Sequence, residues 1–547
     1  MRPGVKLVFY RTLYSQSAAS VTMGTVCSLL REKGIDAELC LLKRDQNLRN
    51  EIGICKKLFK GSEQYQVVIA KPNFKDNTLM LPLLKEAKDK RIFRRVFLCG
   101  PLATLNAESI MDNNGWLDGI ILGYPEETAC ELVSSMTESF SWNLKCKGGL
   151  WRNPQDKTVC SPGPREQKIQ LDQLPFPSRD IEKSENAAYV NMEASRGCAQ
   201  GCSYCHIPPY SGMCHAKGRM VKSPKRVVDE IEILNKELKK TLFIFNDSHF
   251  WKDETDDSRI LDFCEEIKKR NLDIKFYIYL RCNPSPNEKV INALSDAGLA
   301  RAFLGLENAS KESLRIYNKN LRPEDFLKIR ERFEKRNINV HIGYIVFNPY
   351  STLNDIKTNI DFLYKINKIL RIGVILEQVR AVPCTSFYSK LVQDGILDPK
   401  LRYDKITYGY KYLHPKVNNL FKAIQKMFLE KLNNLGYYVE YYCVSGHLLK
   451  SLVLKENKDN IRGIKDELSE FEEGCKICQE TMYGFFSKAI GLASKGKSPE
   501  EISDNKEFIK NYRLAALKLE VAWGKFVEKS RKVAGKRVID EIFRGVE

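Results

Sequence analysis

Residues 1–140 alternate short apolar runs with longer stretches that are apolar on one helical face. The runs are Leu7–Tyr10, Ala37–Leu42, Val67–Ala70, Val96–Cys99 and Gly119–Leu122, each of strand length and bounded by turn-forming residues. This repeated order predicts a doubly wound α/β domain over 1–140, with ligands bound at the carboxyl ends of its strands. Those ends are the loops Arg11–Ser20, Lys71–Asn77, Gly100–Asn106 and Gly123–Thr128. Their Ser, Thr, Gly and Asn suit a large polar ligand and equally make ordinary turns.

The pattern is lost over 141–188, where Gly148, Gly149, Pro154, Pro162, Pro164, Pro175 and Pro177 gather. A linker with one hairpin is predicted there. A second alternating series spans 189–400. Its strand candidates are Val190–Ala194, Leu242–Asn246, Lys275–Leu280, Arg301–Leu306, His341–Phe347 and Val374–Val379, and strands alternating with helices predict a partial (β/α)6 barrel. Residues 401–547 read as a mainly helical C-terminal region, as in Val417–Leu435 and Phe508–Glu528, with a charged segment Lys455–Glu473 between them.

Composition narrows the class. At 43% hydrophobic and 29% charged residues the chain is ordinary for a globular protein, which excludes disordered and low-complexity classes. Its 547 residues fit three or four domains at about 150 residues each. The net charge of +19 favours an anionic partner, but the basic residues are spread along the whole length, as on a solvated surface. The chain runs from Met1 to Tyr10 into a strand-like segment with no signal-type apolar region, and no stretch reaches the ~20 apolar residues of a membrane span. A cytoplasmic protein with reduced thiols is therefore expected.

Of the 17 cysteines, three stand apart. The sequence Arg196-Gly197-Cys198-Ala199-Gln200-Gly201-Cys202-Ser203-Tyr204-Cys205 places them three and then two residues apart in a glycine-containing loop. Thiolates so spaced can converge on one face of an iron–sulfur cube, leaving the fourth iron open to a substrate. A zinc site would need a fourth close ligand, for which His206 and His215 are the nearby candidates.

Cys-x3-Cys-x2-Cys with an aromatic residue before its last cysteine, following a strand, resembles the radical S-adenosylmethionine superfamily. Several strand-end segments extend the resemblance over Tyr189–Asp398: Gly218-Arg219, Ser223-Pro224, Phe245-Asn246-Asp247, Leu304-Gly305-Leu306-Glu307-Asn308 and Val382-Pro383-Cys384-Thr385-Ser386-Phe387-Tyr388. The resemblance implies that Cys198, Cys202 and Cys205 ligate a [4Fe–4S] cluster whose open iron chelates S-adenosylmethionine, and that one electron cleaves the sulfonium to a 5′-deoxyadenosyl radical. It also implies that Tyr204 lies against the adenine and that Asp247, Arg281 and Glu307 bind polar groups of the cosubstrate. A strand-end charge satisfied by a neighbouring helix is the plain alternative for those last three.

A doubly wound domain before such a barrel resembles the cobalamin-dependent branch of the superfamily. Cys99-Gly100-Pro101-Leu102-Ala103-Thr104 and Asp118-Gly119-Ile120-Ile121-Leu122-Gly123-Tyr124-Pro125-Glu126 stand where that branch has cobalamin loops, and Leu171–Asp180 resembles its approach to the barrel. The resemblance implies cobalamin contacts at Lys71, Gly100, Thr104, Gly123 and Glu126. The chain departs from the branch in lacking a second Gly or a His near Gly100, and in having Tyr124-Pro125 where a Gly-Glu pair is usual. No histidine precedes Cys198, so this domain can offer cobalt no imidazole.

The resemblance implies a methyltransferase that moves a methyl group from methylcobalamin to a substrate carbon radical made by 5′-deoxyadenosyl hydrogen abstraction. The alternatives are a cyclase or rearrangement enzyme with the same cofactors and, less favoured, a tRNA methylthiotransferase, whose early Gly-Cys-x-x-Asn is missing here. The expected partners are a small-molecule or peptide substrate, anionic by preference, and an external electron donor of flavodoxin or ferredoxin type, with nucleic acid disfavoured. Substrate is expected to enter between the two domains, under the helical C-terminal region. Cys27, Cys40, Cys99, Cys130 and Cys264 sit in apolar contexts and read as buried hydrophobes. Cys475 and Cys478, with Cys443 and His447, are candidates for a second metal site.

Overall fold

The computed structural model describes residues 4–11, 19–43, 65–72, 77–136, 140–166, 170–184, 189–213, 218–398, 409–456 and 462–534. The loop expectations at 12–18 and 73–76, and the ligand candidate His215, lie outside these residues.

The first sheet holds β1 (Gly4–Arg11), β2 (Ala37–Lys43), β3 (Tyr65–Lys71), β4 (Arg95–Leu98), β5 (Gly119–Ile121), β6 (Gly149–Arg152) and β7 (Val159–Cys160), in the order β2-β1-β3-β4-β5-β6-β7. β2 to β5 pair in parallel. Their apolar runs bury Val5, Leu7, Val68, Ile69, Phe97 and Ile120 completely, because helices cover both faces. The order reverses between β1 and β3, the switch point at which doubly wound sheets bind ligands.

The hairpin predicted in the linker is β6–β7, and it extends the first sheet as two antiparallel strands beside β5. Trp151 fixes that junction. It is fully buried, its indole donates to the Cys146 carbonyl at 2.7 Å, and a Cβ on Gly119 or Gly149 would lie 2.5 or 2.1 Å from its ring. Further along, the stretch before the barrel is pinned to the helix Ala19–Glu32. Ser28 Oγ donates to the Phe176 carbonyl at 2.8 Å, Ser178 N donates to the Gly24 carbonyl at 3.0 Å, and Arg31 pairs with Asp180 at 2.8 Å.

The second sheet contains β8 (Val190–Met192), β11 (Leu242–Phe245), β12 (Lys275–Arg281), β13 (Leu299–Glu307) and β14 (Asn339–Tyr344), all parallel, in the order β14-β13-β12-β11-β8. A two-stranded antiparallel ribbon, β9 (Ser195–Gly197) with β10 (Arg219–Val221), leaves the top of β8. The sixth predicted strand, Val374–Val379, is different. The chain there forms a short helix, Ile372–Ile375, and only a parallel bridge of Gln378 to Phe347 remains at the strand position. Its apolar run Ile372-Gly373-Val374-Ile375-Leu376 is too short for periodicity to separate strand from buried helix.

The C-terminal region is helical, chiefly Pro415–Gln425, Leu435–Glu456, Lys465–Ser494 and Lys506–Ala534. It shares one continuous apolar core with the barrel, from Phe245 and Phe276 through Phe428 and Phe485 to Tyr512 and Phe526. Helix Leu435–Glu456 lies across the amino-terminal ends of the strands. Leu448 and Leu452 pack on Ala300 and Tyr277, and Lys455 donates to the Leu299 carbonyl. That helix covers the end of the barrel opposite Glu307, whereas helix Pro415–Gln425 packs Phe421 against Phe347, just beyond the carboxyl end of β14. None of the described helices is long and apolar enough to cross a membrane.

Candidate active site

The cysteine loop begins where β9 must turn away from β10. Gly197 has φ +79°, and a Cβ there would stand 2.4 Å from the Gly218 carbonyl oxygen, so only glycine fits. Cys198, Cys202 and Cys205 follow, all half-buried. The loop is held from outside by the backbone around it. Ser203 N donates to the Tyr317 carbonyl at 3.0 Å, Ser203 Oγ to the Ile316 carbonyl at 2.7 Å and Asn318 Nδ2 to the Gly201 carbonyl at 2.7 Å, while Phe387 N donates to the Ser203 carbonyl at 2.9 Å. Burial raises the Cys198 thiol pKa and pushes that of Cys205 up to about 12.

Arg281, at the carboxyl end of β12, donates to Cys202 Sγ at 3.5 Å. Among the described residues no three His, Cys, Asp or Glu side chains gather closely enough to share one ion. A cubane does not require that, because each thiolate takes a different iron. Three sulfur donors on one loop without carboxylate or imidazole among them therefore fit an iron–sulfur cube better than zinc. His206 heads the helix Ile207–Gly212, and burial lowers its pKa to about 4.

The other expected cosubstrate residues ring the same end of the barrel. Tyr204 packs edge-on against Tyr317, ring centroids 5.3 Å apart, and burial raises its pKa well above the ordinary phenol value. Asp247 is buried just beyond β11, where it accepts from Ala194 N at 3.0 Å and from Ser195 Oγ; its carboxylate ties the β8–β9 turn to β11, the structural alternative for this residue. Glu307 ends β13 with φ +78°, a left-handed conformation that costs a glutamate free energy. A shift in register between Gly305 and Glu307 against β14 accompanies it, as a bulge re-aims a side chain. The carboxylate accepts from Lys319 Nζ at 2.7 Å.

For Glu307→Gln the expected result is weaker S-adenosylmethionine binding with iron content unchanged, measured by calorimetry on reconstituted protein. Unchanged affinity would show that the Lys319 ion pair is the residue's whole role.

At the carboxyl edge of the first sheet, Lys71 runs across Gly100, whose φ is +87° and whose Cβ would meet Lys71 Cγ at 2.9 Å. Lys71 Nζ donates to Thr22 Oγ1 at 3.1 Å, across the β1–β3 switch point, and burial lowers its pKa. Thr104 Oγ1 accepts from Gly123 N at 3.0 Å. Ser20 Oγ, two residues before Thr22, is buried without a hydrogen-bond partner. A glycine-lined edge at the switch point, with an unused buried hydroxyl, fits a large polar ligand such as cobalamin. Glu126 is fully buried, with its carboxylate 2.7 Å from Arg196 Nη1.

Arg196 is the residue that sequence reasoning missed. It precedes the cysteine loop and joins Glu126 of the first sheet's β5 loop to Glu193, each at 2.7 Å, with its guanidinium 5.1 Å over the Tyr124 ring. On the other side of the loop Tyr210 donates to the Gly123 carbonyl at 2.7 Å, and the Tyr124 and Ser211 hydroxyls lie 3.1 Å apart. The cysteine loop is thus clamped on both flanks to the loop expected to receive cobalamin. The only sequence signal was a basic residue beside Gly197-Cys198.

The second metal site is not formed among the described residues. Cys443 Sγ and Cys475 Sγ are buried 3.2 Å apart, and His447 Nδ1 is occupied by the Cys443 carbonyl at 2.6 Å.

Residues 192–363 match the radical SAM superfamily. The chain is 27% identical over 285 residues to an uncharacterised methyltransferase of Pyrococcus horikoshii, covering 51% of this chain and 60% of that one. It is 29% identical over 233 residues to the anaerobic magnesium-protoporphyrin IX monomethyl ester cyclase of Rubrivivax gelatinosus, covering 41% and 40%. The chain therefore matches less than two thirds of the length of either relative. In fold it resembles the cobalamin-dependent S-adenosylmethionine radical enzyme OxsB, with TM-score 0.69 at 18% identity over 100% of this chain and 84% of that one. Residues 192–363 thus match the radical SAM superfamily, within a fold that resembles that of a cobalamin-dependent radical SAM enzyme.

Proposed function

We propose that the protein is a cobalamin-dependent radical S-adenosylmethionine methyltransferase acting on a carbon of a small-molecule or peptide substrate. The observation that carries this reading is the double clamp between the cysteine loop and the Gly123–Glu126 loop, because a methyl transfer in which one cofactor makes the substrate radical and the other gives the methyl group needs their domains held in fixed register. When bound, the cluster with S-adenosylmethionine supplies a radical that abstracts hydrogen, and cobalamin supplies the methyl group.

The chain's own residues would bind and orient these groups. Cys198, Cys202 and Cys205 hold the cluster; Glu307, Arg281 and Tyr204 position the cosubstrate, with Asp247 bracing the turn beneath it. Lys71, Gly100, Thr104 and Gly123 form the cobalamin edge, and Glu126 serves there by anchoring Arg196. Residues 1–140 act as the cobalamin domain, 141–188 as a packed linker, 189–400 as the barrel and 401–547 as its helical cover. An external flavodoxin- or ferredoxin-type protein would deliver the electron.

The likeness to a cyclase over 233 residues supports a second reading, in which the same cofactors drive a ring closure. Protein reconstituted anaerobically with iron, sulfide and cobalamin separates the two. Methyl transfer should release S-adenosylhomocysteine as well as 5′-deoxyadenosine, and release of 5′-deoxyadenosine alone under reducing conditions would favour the cyclase.

A further inference from the structure

A small cavity, open to solvent, lies at the amino-terminal ends of β13 and β14. Its polar lining includes Arg301, Lys368, Arg371, His447, Asn339 and Gln479, and no carboxylate lines it. Glu307 stands six residues beyond Arg301 on β13, roughly 20 Å away at ~3.3 Å per residue, so this is not the barrel mouth.

Charge at this cavity is unbalanced. Arg371 Nε pairs with Glu440 at 2.6 Å. Arg301 has no carboxylate partner among the described residues; its guanidinium lies 5.9 Å over the Tyr277 ring, and its Nε is buried with no hydrogen-bond partner. The Lys368 ammonium forms neither an ion pair nor a hydrogen bond with any described residue, and burial, then Arg330 and Arg371, lower its pKa to about 7. Arg301 therefore shares the pocket with an amine that burial drives toward its neutral form, and an entering anion would restore the Lys368 charge while offsetting that of Arg301.

His341 sharpens this. Its Nδ1 lies 2.8 Å from Arg301 Nη2 and its Nε2 lies 2.8 Å from Arg371 Nη2. A neutral imidazole, the form that burial and these two arginines enforce, has one acceptor and one donor nitrogen. One of the two contacts therefore sets an N–H against an N–H, and that guanidinium has hydrogen-bonding capacity to spare. The amides of Asn339 and Gln479 add further donors to the lining.

We propose that this cavity binds a phosphoryl-class dianion, held by Arg301, Lys368 and the Arg371 edge, at a site separate from the cysteine loop. Arg301 supplies one unmatched positive charge and Lys368 a second once an anion favours its protonated form, and guanidinium groups suit the oxygens of a phosphoryl group. Either a free phosphate ion or the phosphate of a larger molecule offers this chemistry. The site stands independently of the proposed methyl transfer.

The test is calorimetric titration of the full-length protein with inorganic phosphate at constant ionic strength, chloride being the balancing ion, and a parallel titration with glycerol phosphate. Saturable heat is expected, with affinity at least about tenfold weaker in Lys368→Gln. That variant should melt at or above the wild-type temperature in phosphate-free buffer, because it removes a buried amine that has neither ion pair nor hydrogen bond among the described residues; a purely structural lysine would lower the melting temperature. Equal affinities for the two probes would indicate a phosphorylated molecule, and binding of inorganic phosphate alone a free ion. No saturable heat with either probe, or the same affinity in Lys368→Gln as in wild type, would overturn the proposal.

Discussion

Cys202→Ala should leave the protein folded and unable to assemble a cubane. The side chain is half-buried, and the loop around it is held by the backbone bonds of Gly201, Ser203 and Tyr317 rather than by the thiol, so the stability cost should be about 1 kcal/mol, near the centre of ordinary substitutions. The chemical cost should be total. Three thiolates are the minimum that hold the three closed irons of the cube, and Arg281, which donates to Cys202 at 3.5 Å, would lose the group it faces. After anaerobic reconstitution the variant should show no cubane signal in electron paramagnetic resonance and no 5′-deoxyadenosine, while Cys443→Ala, at the buried thiol pair far along the chain, should show both. A cubane signal surviving in Cys202→Ala would sink the assignment of the ligands.

Much of this site could be read in the sequence because its information is local. The Cys-x3-Cys-x2-Cys spacing and the glycine before it sit within one loop, and the strand-end positions of Asp247, Arg281 and Glu307 follow from apolar runs that end beside them. The five barrel strands and β1 to β5 came from the same signal, since runs buried on both faces need no partner to be recognised. What the sequence concealed depends on partners far along the chain. The β6–β7 hairpin lies in a stretch dominated by Gly and Pro, and only Trp151 packing against Gly119 reveals that it completes the first sheet. The sixth strand failed because a short apolar run serves a buried helical turn equally well. Glu126 looked like a ligand contact by position in its loop, yet its carboxylate is engaged by an arginine 70 residues later. The charge surplus at Arg301 and Lys368 is invisible in a composition of +19 spread over the whole chain, because burial rather than number makes it consequential.

Arg196→Met should give the largest loss of stability of any single change at the clamp. The guanidinium is 3% exposed and the Glu126 carboxylate 0%. Burial alone would lower the arginine's pKa, but Glu126 first and Glu193 next outweigh it, so the charge is held firmly. Methionine would fill the volume of the alkyl stem and leave Glu126 in the interior without its partner. Removing one member of a buried pair costs about 3–5 kcal/mol; Lys71, whose ammonium feels the Glu126 charge, places the expected value at the lower end. The double variant Arg196→Met, Glu126→Gln should recover a large part of the loss, since both charges then leave together and residues in direct contact are not additive. Urea midpoints of the wild type, the two single variants and the double variant measure this coupling. The same cycle reports on function, because the β5 loop carrying Gly123 is fixed by this pair on one side and by Tyr210 on the other. Arg196→Met should therefore retain cobalamin poorly on gel filtration even where iron content is normal. A loss below about 1 kcal/mol, the range of exposed pairs, would mean that water reaches Glu126 and that the two domains are not locked at the cysteine loop.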